Sequence, residues 1–353
     1  MADPLKKVAL DQLVKVLDRV PIVSGVKSDL GSLRSLLYDR RPPRIAAVGL
    51  PSSGRSSLIR SLIEREQGHE AVHAEHGEWV YIEHVGAKID WMETDLDAPD
   101  LRGQWHTALD RKTPDVVLVL VEPRRVGEAD ALLATTAELL QRLPLGETGC
   151  RVFPLLTHSD LIGRSDDDIE IARRDLAKIV RQRLPQADPA RAVSVITEQG
   201  LEGLSEALVW AVPETARLET ARALTRAGAA RVRIGHEIVQ SCTAISVTVG
   251  VTPIPFSDMV LLGPLQAMMV SSLAYLSGRT WGRKTAAEWL ASLGVVGGIG
   301  MGLRFSAQAV AKFVPGAGNA ISAGVAGAGT TAMGQSAMKY FLTRGHSASP
   351  KPQ

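Results

Sequence analysis

The sequence has few cysteines and no excess of either charge, and both absences narrow the classes of protein to consider. Of its 353 residues only two are cysteines, Cys150 and Cys242, and they lie 92 positions apart. This spacing excludes a disulfide scaffold or a cysteine zinc site and is typical of a protein in a reducing compartment. The 40 Lys and Arg residues nearly balance the 38 Asp and Glu residues. Because no global basic field results, a nucleic-acid partner is not expected.

The first 20 residues also lack an uninterrupted apolar run, since charges are interspersed among their apolar positions. A secretory signal requires such a run, so we expect a cytoplasmic protein rather than an exported one. With 45% hydrophobic and 22% charged residues, the chain is long enough to bury a sizeable core. This size predicts two domains or so.

Before residue 237, short apolar runs alternate with charged amphipathic stretches. The stretches Gly127–Leu143 and Asp167–Leu184 carry apolar residues at helical spacing. Such alternation predicts an α/β fold, a doubly wound and mostly parallel sheet with helices on both faces. Two more amphipathic segments, Pro4–Arg19 and Lys27–Arg40, precede it. The predicted strands are Arg44–Gly49, Trp79–His84, Asp115–Val121, Val152–Thr157 and Ala192–Thr197.

After residue 237, charge becomes scarce: the 101 residues from Ile238 to Met338 contain only seven charged residues. Charge-free windows there overlap the roughly 20 residues that span a bilayer, but Gly, Ser, Thr, Gln and Pro dilute them and weaken insertion. Two alternatives stay open, membrane-associated helices and a soluble helical bundle covered by a partner. The windows are Ile238–Ser257, Met259–Gly278, Trp289–Leu303 and Phe313–Met338.

A phosphate-binding loop is predicted at Gly49–Ser56, which fits GxxxxGK[ST] except that Arg55 replaces the lysine. The segment before it is a predicted strand and the segment after it has helical spacing, so backbone N–H groups would converge on phosphate at a helix N-terminus. Arg55 keeps the positive charge but is longer, planar and forked, so it does not reproduce a lysine's point contact. The residues expected at this site are Gly49, Ser52, Ser53, Gly54, Arg55, Ser56 and Ser57.

Two further motifs follow the later strands. Thr157-His158-Ser159-Asp160 follows an apolar strand, and Ser194-Val195 precedes a Gly-Leu helix entry. Together with the loop, they resemble the [NT]KxD and fifth motifs of translation-factor and Era-like GTPases. The resemblance implies that Asp160 selects guanine and that the cofactors are GTP or GDP with Mg²⁺. His158 stands where the family has lysine.

The residues for magnesium and hydrolysis are less clearly marked. Ser56 is the expected magnesium ligand in this loop. For the family's DxxG motif two registers compete, one starting at Asp97 and one at Asp100; in the second, Gln104 is positioned to orient water. Residues 58–93 contain no threonine, so the family's switch threonine is missing. Rapid GTP hydrolysis is therefore not expected.

One motif points to different chemistry. His69-Glu70-Ala71-Val72-His73 satisfies HExxH, in which two histidines on one helical face hold zinc beside a general base. It follows Gly68 in the position of a GTPase switch loop, and a catalytic zinc needs a third ligand. A solvated loop is the favoured interpretation, with adventitious metal binding next and protease chemistry last.

The charge-poor region resembles the DUF697 (YcjF-like) domain found fused to Era-like GTPases. The similar segments include Thr252–Asp258, Gln266–Met269 and Lys312–Gly318. The resemblance implies membrane association without an assigned chemistry. The expected organisation is N-terminal helices at 1–40, a GTPase domain at 41–215, the DUF697-like domain at 216–343 and a tail at 344–353.

Two functional hypotheses follow. The first is a guanine-nucleotide switch with slow or degenerate hydrolysis that acts on a membrane or on a hydrophobic protein partner. The second is a catalytically inactive relative that serves as a scaffold. Homo-oligomers are expected only by analogy with related proteins.

Overall fold

A computed structural model shows two compact units. It describes residues 24–37, 39–63, 77–84, 86–162, 165–251, 262–279 and 318–343. The sheet unit comprises Arg41–Ala230, and the helical unit comprises the chain up to Arg40 together with the chain from Arg231 onward. The predicted helix Pro4–Arg19 and the HExxH motif at His69–His73 lie outside the described residues.

The described part of the sheet unit contains a six-stranded sheet in the order β2-β3-β1-β4-β5-β6. Only the β2–β3 pair is antiparallel. Strand order reverses at β1, which lies between β3 and β4, and ligands of open α/β sheets bind at such a point. The strands are β1 (Arg44–Gly49), β2 (Trp79–His84), β3 (Ala87–Asp95), β4 (Val116–Val121), β5 (Arg151–Leu156) and β6 (Arg191–Ala192).

The central strands form because they can be buried on both faces. Strand β4 reads VVLVLV, and all six of its residues are buried, as is typical of parallel strands covered by helices. Strand β5 contains Pro154. The proline is tolerated because β6 pairs only with Leu155 and Leu156, so β5 is an edge strand at Pro154. The predicted mostly parallel α/β fold is confirmed.

Two strands differ from the prediction. Strand β3 was not predicted, because the acidic residues Asp90, Glu93 and Asp95 interrupt its apolar pattern. These carboxylates have internal partners, such as Lys112 for Asp90 at 2.9 Å. The predicted strand Ala192–Thr197 was wrong: pairing ends at Ala192, and the next residues form a loop closed by hydrogen bonds to Ser194. Local side-chain bonding competes with the sheet ladder there.

Helices connect the strands of the sheet unit and extend beyond residue 215. Helix α7 (Glu214–Ala223) packs on β3. The Thr225 backbone N–H donates to the Leu62 carbonyl at 2.9 Å. These contacts place the division between units later than the expected boundary at 215. The helices are α2 (Arg55–Ile63), α3 (Leu101–Arg111), α4 (Ala129–Leu140), α5 (Asp166–Arg183), α6 (Leu201–Ala211) and α7 (Glu214–Ala223).

The helical unit is built from small and apolar residues. Gly334 allows a close approach, because a Cβ at this position would lie 2.6 Å from both Val239 methyl groups. A buried polar chain joins three helices: Gln266 donates to Thr330 at 3.1 Å, and Thr330 donates to Ser246 at 2.9 Å. The helices are α1 (Ser24–Leu37), α8 (Gly228–Val251), α9 (Gly263–Leu276) and α10 (Gly318–Met338).

The charge-free windows map onto this unit in part. Helix α9 lies within Met259–Gly278 and α10 within Phe313–Met338, whereas Trp289–Leu303 lies outside the described residues. Among the helices that the structure describes, none combines enough length with enough apolar character to cross a bilayer.

Candidate functional site

The predicted phosphate loop lies at the carboxyl end of β1, where strand order reverses. Residues 50–54 turn back so that helix α2 begins at Arg55. Ser52 and Gly54 both adopt left-handed conformations, with φ of 64° and 92°. For Ser52 this conformation is costly, and such strain is found where a loop has to hold one shape. The loop therefore aims the N-terminus of α2 along the sheet edge, as an anion site requires.

Arg55 is turned into the protein rather than into solvent. Only 7% of it is exposed. Its guanidinium donates to the backbone carbonyls of Gly49 and Thr94, the latter at 3.0 Å, and to the Asp95 carboxylate at 3.3 Å. A lysine ammonium cannot span these three acceptors in the same way, because the planar fork of arginine fixes their geometry. Arg55 thus joins the loop to the end of β3.

Ser56, the expected magnesium ligand, contacts an acidic residue that the sequence motifs did not mark. Its hydroxyl donates to Glu93 Oε2 at 2.8 Å, and the Trp91 indole N–H donates to Glu93 Oε1 at 3.0 Å. Asp95 accepts a 3.0 Å bond from the Asp97 backbone N–H besides its bond from Arg55. Trp91, Glu93 and Asp95 are two residues apart in sequence, so they lie on one face of β3.

The expected magnesium ligands are not brought together. Asp97 and Asp100 are both exposed, and the Asp100 carboxylate folds beside Gly103 at the start of α3. Within the described part of the chain, no group of three or more His, Cys, Asp or Glu side chains is suited to a metal ion. The carboxylates next to Ser56 and Arg55 are Glu93 and Asp95, and all four of their oxygens have internal donors. These residues, as arranged, do not fit magnesium.

Gln104 lies on α3, and its side-chain amide donates to the Pro99 carbonyl at 3.3 Å. This bond ties the amide to its own turn. Ser52 and Ser57 are exposed on the loop and the first turn of α2.

The predicted [NT]KxD segment contacts the phosphate loop directly. The Thr157 hydroxyl donates to the Ser53 carbonyl at 3.0 Å. The His158 ring lies against Gly54, with its Cε1 3.2 Å from the position that a Cβ would occupy there. Residue 54 must therefore be small, and its φ of 92° also favours glycine there.

The residues that the motifs predict to select guanine are also brought together. The Ser194 hydroxyl donates to Asp160 Oδ1 at 2.6 Å and accepts from the Thr197 backbone N–H at 3.1 Å. This bond fixes one carboxylate oxygen of Asp160, which is half-buried. Val195 follows in the same loop and is also half-buried. Phosphate loop, Thr157, Asp160 and Ser194 thus lie along one edge of the sheet.

The motifs missed three residues of this site, Glu93, Asp95 and Gln199. Gln199 accepts a 3.0 Å hydrogen bond from the Ser159 hydroxyl and so joins the loop of Asp160 to the loop of Ser194. No sequence signal marked Glu93 and Asp95, because they belong to no motif and interrupt the apolar pattern of β3.

Comparison of sequences places the C-terminal part in a described family. Residues 217–353, less than half of the chain, match the domain of unknown function DUF697. This match confirms the resemblance to DUF697. No curated protein is similar to the chain in sequence.

Several solved structures that are weakly similar to this chain are described as nucleotide-binding proteins or GTPases. They include SsGBP in complex with GDP (15% identity, 61% of this chain and 70% of that chain, TM-score 0.36). The Arl6 BBS3 small GTPase from Trypanosoma brucei, with bound GppNp, has 19% identity over 48% of this chain and 98% of its own, TM-score 0.35. The G domain of the T. maritima FeoB iron transporter has 19% identity over 48% of this chain and 99% of its own, with a TM-score of 0.32. Similarity this weak does not establish what this chain binds.

Proposed function

We propose that the sheet unit binds a guanine nucleotide at the carboxyl edge of β1. The observation that carries the proposal is the contact of three motif loops: Thr157 with the Ser53 carbonyl, and Ser194 with the Asp160 carboxylate. Loops distant in sequence are held together at the topological switch point, where α/β sheets bind ligands.

Each part of this edge has a chemical role in the proposal. Backbone N–H groups at the start of α2 bind the phosphates, since a helix N-terminus attracts anions. Asp160 accepts hydrogen bonds from the N1–H and the exocyclic amino group of guanine, and Ser194 holds its carboxylate in one orientation. Adenine offers an acceptor where guanine offers a donor, so the carboxylate disfavours ATP.

We infer that nucleotide binding is not accompanied by fast hydrolysis. Arg55 is held by Gly49, Thr94 and Asp95 rather than presented to solvent, and the Gln104 amide is bonded to Pro99. Neither side chain is poised for a phosphate or a water. These contacts favour the second candidate function, a nucleotide-dependent or inactive scaffold, over an efficient GTPase.

We further propose that nucleotide occupancy alters how the helical unit contacts a partner in the cytoplasm. The scarcity of charge between Ile238 and Met338 supports a membrane surface, a hydrophobic protein or a second copy of the chain as that partner. Co-sedimentation with anionic vesicles tests the membrane surface, and light scattering with GDP and with GTP tests the second copy of the chain. A chain that stays monomeric and in the supernatant would contradict both the membrane surface and the second copy as partners.

The decisive experiment measures binding of labelled GTP, GDP and ATP to the full-length protein. We expect guanine nucleotides to bind and Asp160→Ala to weaken their affinity by at least about tenfold, or 1.4 kcal/mol. Asp175→Ala is the matched control, because Asp175 is an exposed aspartate on α5 that pairs with Lys178. Equal affinity for ATP, or an unchanged affinity in Asp160→Ala, would contradict the proposal.

A further inference from the structure

The buried cluster of Arg55, Ser56, Trp91, Glu93 and Asp95, here called the Arg55 cluster, places an internal cation beside the phosphate loop. The Arg55 guanidinium lies 3.3 Å from Asp95 and 3.9 Å from Glu93. The side chains of all three charged residues are nearly or fully excluded from water. Charges at such distances in a buried setting interact strongly, so this pairing is a fixed part of the site.

The same oxygens are the ones that a divalent cation at this loop would need. Magnesium requires near-octahedral oxygen ligands and is bound through one or two carboxylates together with substrate phosphates. Here the Ser56 hydroxyl donates a hydrogen bond to Glu93. One Asp95 oxygen accepts from Arg55 and the other accepts from the Asp97 N–H. For magnesium to bind, Arg55 would have to leave its carboxylates and stay buried without them, which is unfavourable.

We propose that Arg55 holds the carboxylate that a divalent cation at this loop would use, so that this chain binds guanine nucleotide without magnesium. This proposal rests on the nucleotide binding proposed above. The guanidinium pairs with the Asp95 carboxylate where other proteins with such a loop hold a metal ion, and it is anchored on two backbone carbonyls as well. Arginine suits this role because it is always charged and its planar fork matches the geometry of a carboxylate.

The charge balance of the cluster leads to a second consequence. Two carboxylates and one guanidinium leave a net charge of −1, which the Ser56 hydroxyl and the Trp91 N–H partly stabilise at Glu93. A negative cluster repels each added phosphate. Removing the Glu93 charge should therefore raise nucleotide affinity with or without magnesium.

The test titrates full-length protein with fluorescent GDP in excess MgCl₂ and in excess EDTA. We expect the two dissociation constants to agree within about twofold, far less than the tenfold change that 1.4 kcal/mol represents. A tenfold or greater loss of affinity in EDTA would overturn the proposal while leaving guanine binding intact. No binding in either buffer would overturn the proposed function itself, and the present proposal with it.

Two variants separate the role of Arg55 from general damage. In Arg55→Lys the shorter ammonium frees Asp95, so magnesium should raise GDP affinity by about tenfold. In Glu93→Gln affinity should rise by about threefold in both buffers. Arg183→Lys is the matched control, since Arg183 pairs with an aspartate, Asp130, on exposed surface. An affinity loss in Glu93→Gln confined to the magnesium buffer would identify Glu93 as a metal ligand and overturn the proposal. Thermal unfolding of each variant reports whether it folds.

Discussion

A single hydroxyl orients the residue expected to select guanine. Ser194 donates to Asp160 at 2.6 Å, and deleting the hydroxyl leaves the carboxylate free to rotate. We therefore expect Ser194→Ala to lower GDP affinity about fivefold, corresponding to the ~1 kcal/mol of one hydrogen bond. The loss should be smaller than that of Asp160→Ala, because the carboxylate itself remains. Fluorescence titration of both variants measures the difference.

The chain offers a matched control for this change. The Ser165 hydroxyl also bonds an aspartate, Asp168 at 2.8 Å, and it accepts from the Asp168 N–H at the exposed start of α5. Ser165→Ala should cost about 1 kcal/mol of stability as a lost helix cap while GDP affinity stays unchanged. If both serine variants bind GDP equally well, Ser194 has no part in recognition.

The same residues show how far sequence motifs predict a site. Thr157, Asp160 and Ser194 were assigned from motifs at the ends of the later strands, and the structure brings them together because parallel strands end at one edge. The partners of Arg55 were not predictable in this way. Glu93 and Asp95 belong to no motif, and only the pairing of Gly49 with Asp95 in the β1–β3 register brings them to the loop.

At the scale of elements, strands were predicted where burial alone decides their composition. Strand β4 is apolar throughout and β1 is apolar after Arg44, and both were assigned from that pattern. Strand β3 is also buried, but its acidic side chains are compensated by Ser56, Trp91 and Arg55. Such compensation depends on tertiary neighbours, so the one-dimensional pattern could not reveal the strand.

The packing of α8 against α10 depends on a residue without a side chain. A Cβ at Gly334 would lie 2.6 Å from both methyl groups of Val239, and that valine is buried. We expect Gly334→Ala to destabilise the helical unit by about 1–3 kcal/mol, as overpacked sites do. Urea unfolding followed by circular dichroism measures the change.

Another glycine of the same helix provides the control. Apart from its chain neighbours and the backbone of its own helix, no atom of the described residues lies within 4 Å of a Cβ added at Gly324. Gly324→Ala should therefore stabilise the protein by up to about 1 kcal/mol, the helix-propensity difference alone. A destabilisation of equal size at both positions would mean that the close approach at Gly334 is not the cause.

At the scale of the molecule, composition predicted two parts but not which segments form them. The change in charge near residue 237 lies close to the division at Ala230 and Arg231. The grouping of residues before Arg40 with the helical unit was not predicted, because it depends on contacts between distant segments. One is the Arg40 guanidinium, which lies 4.6 Å from the centre of the Tyr275 ring.

Each unit carries one buried thiol that can report on its stability. Burial raises the pKa of Cys150 in the sheet unit and of Cys242 in the helical unit from 9.0 to about 12. Maleimide labelling at pH 8 therefore requires opening of the surrounding unit. If GDP binds the sheet unit, a GDP concentration about 100 times the dissociation constant should stabilise that unit by about 2.7 kcal/mol. The urea concentration that exposes Cys150 should rise accordingly.

Mass spectrometry of the two labelled peptides then distinguishes the proposed functions. For any guanine-binding protein, we expect GDP to raise the urea concentration at which Cys150 becomes labelled, and Asp160→Ala to abolish that rise. An unchanged urea concentration for Cys150 labelling would contradict nucleotide binding. A nucleotide switch also requires part of the stabilisation to reach the helical unit, since two sites are coupled only through a free energy that they share. For a switch, we expect GDP to raise the urea concentration of Cys242 labelling as well, by less than that of Cys150. A nucleotide-binding scaffold without signal transfer leaves the urea concentration of Cys242 labelling unchanged.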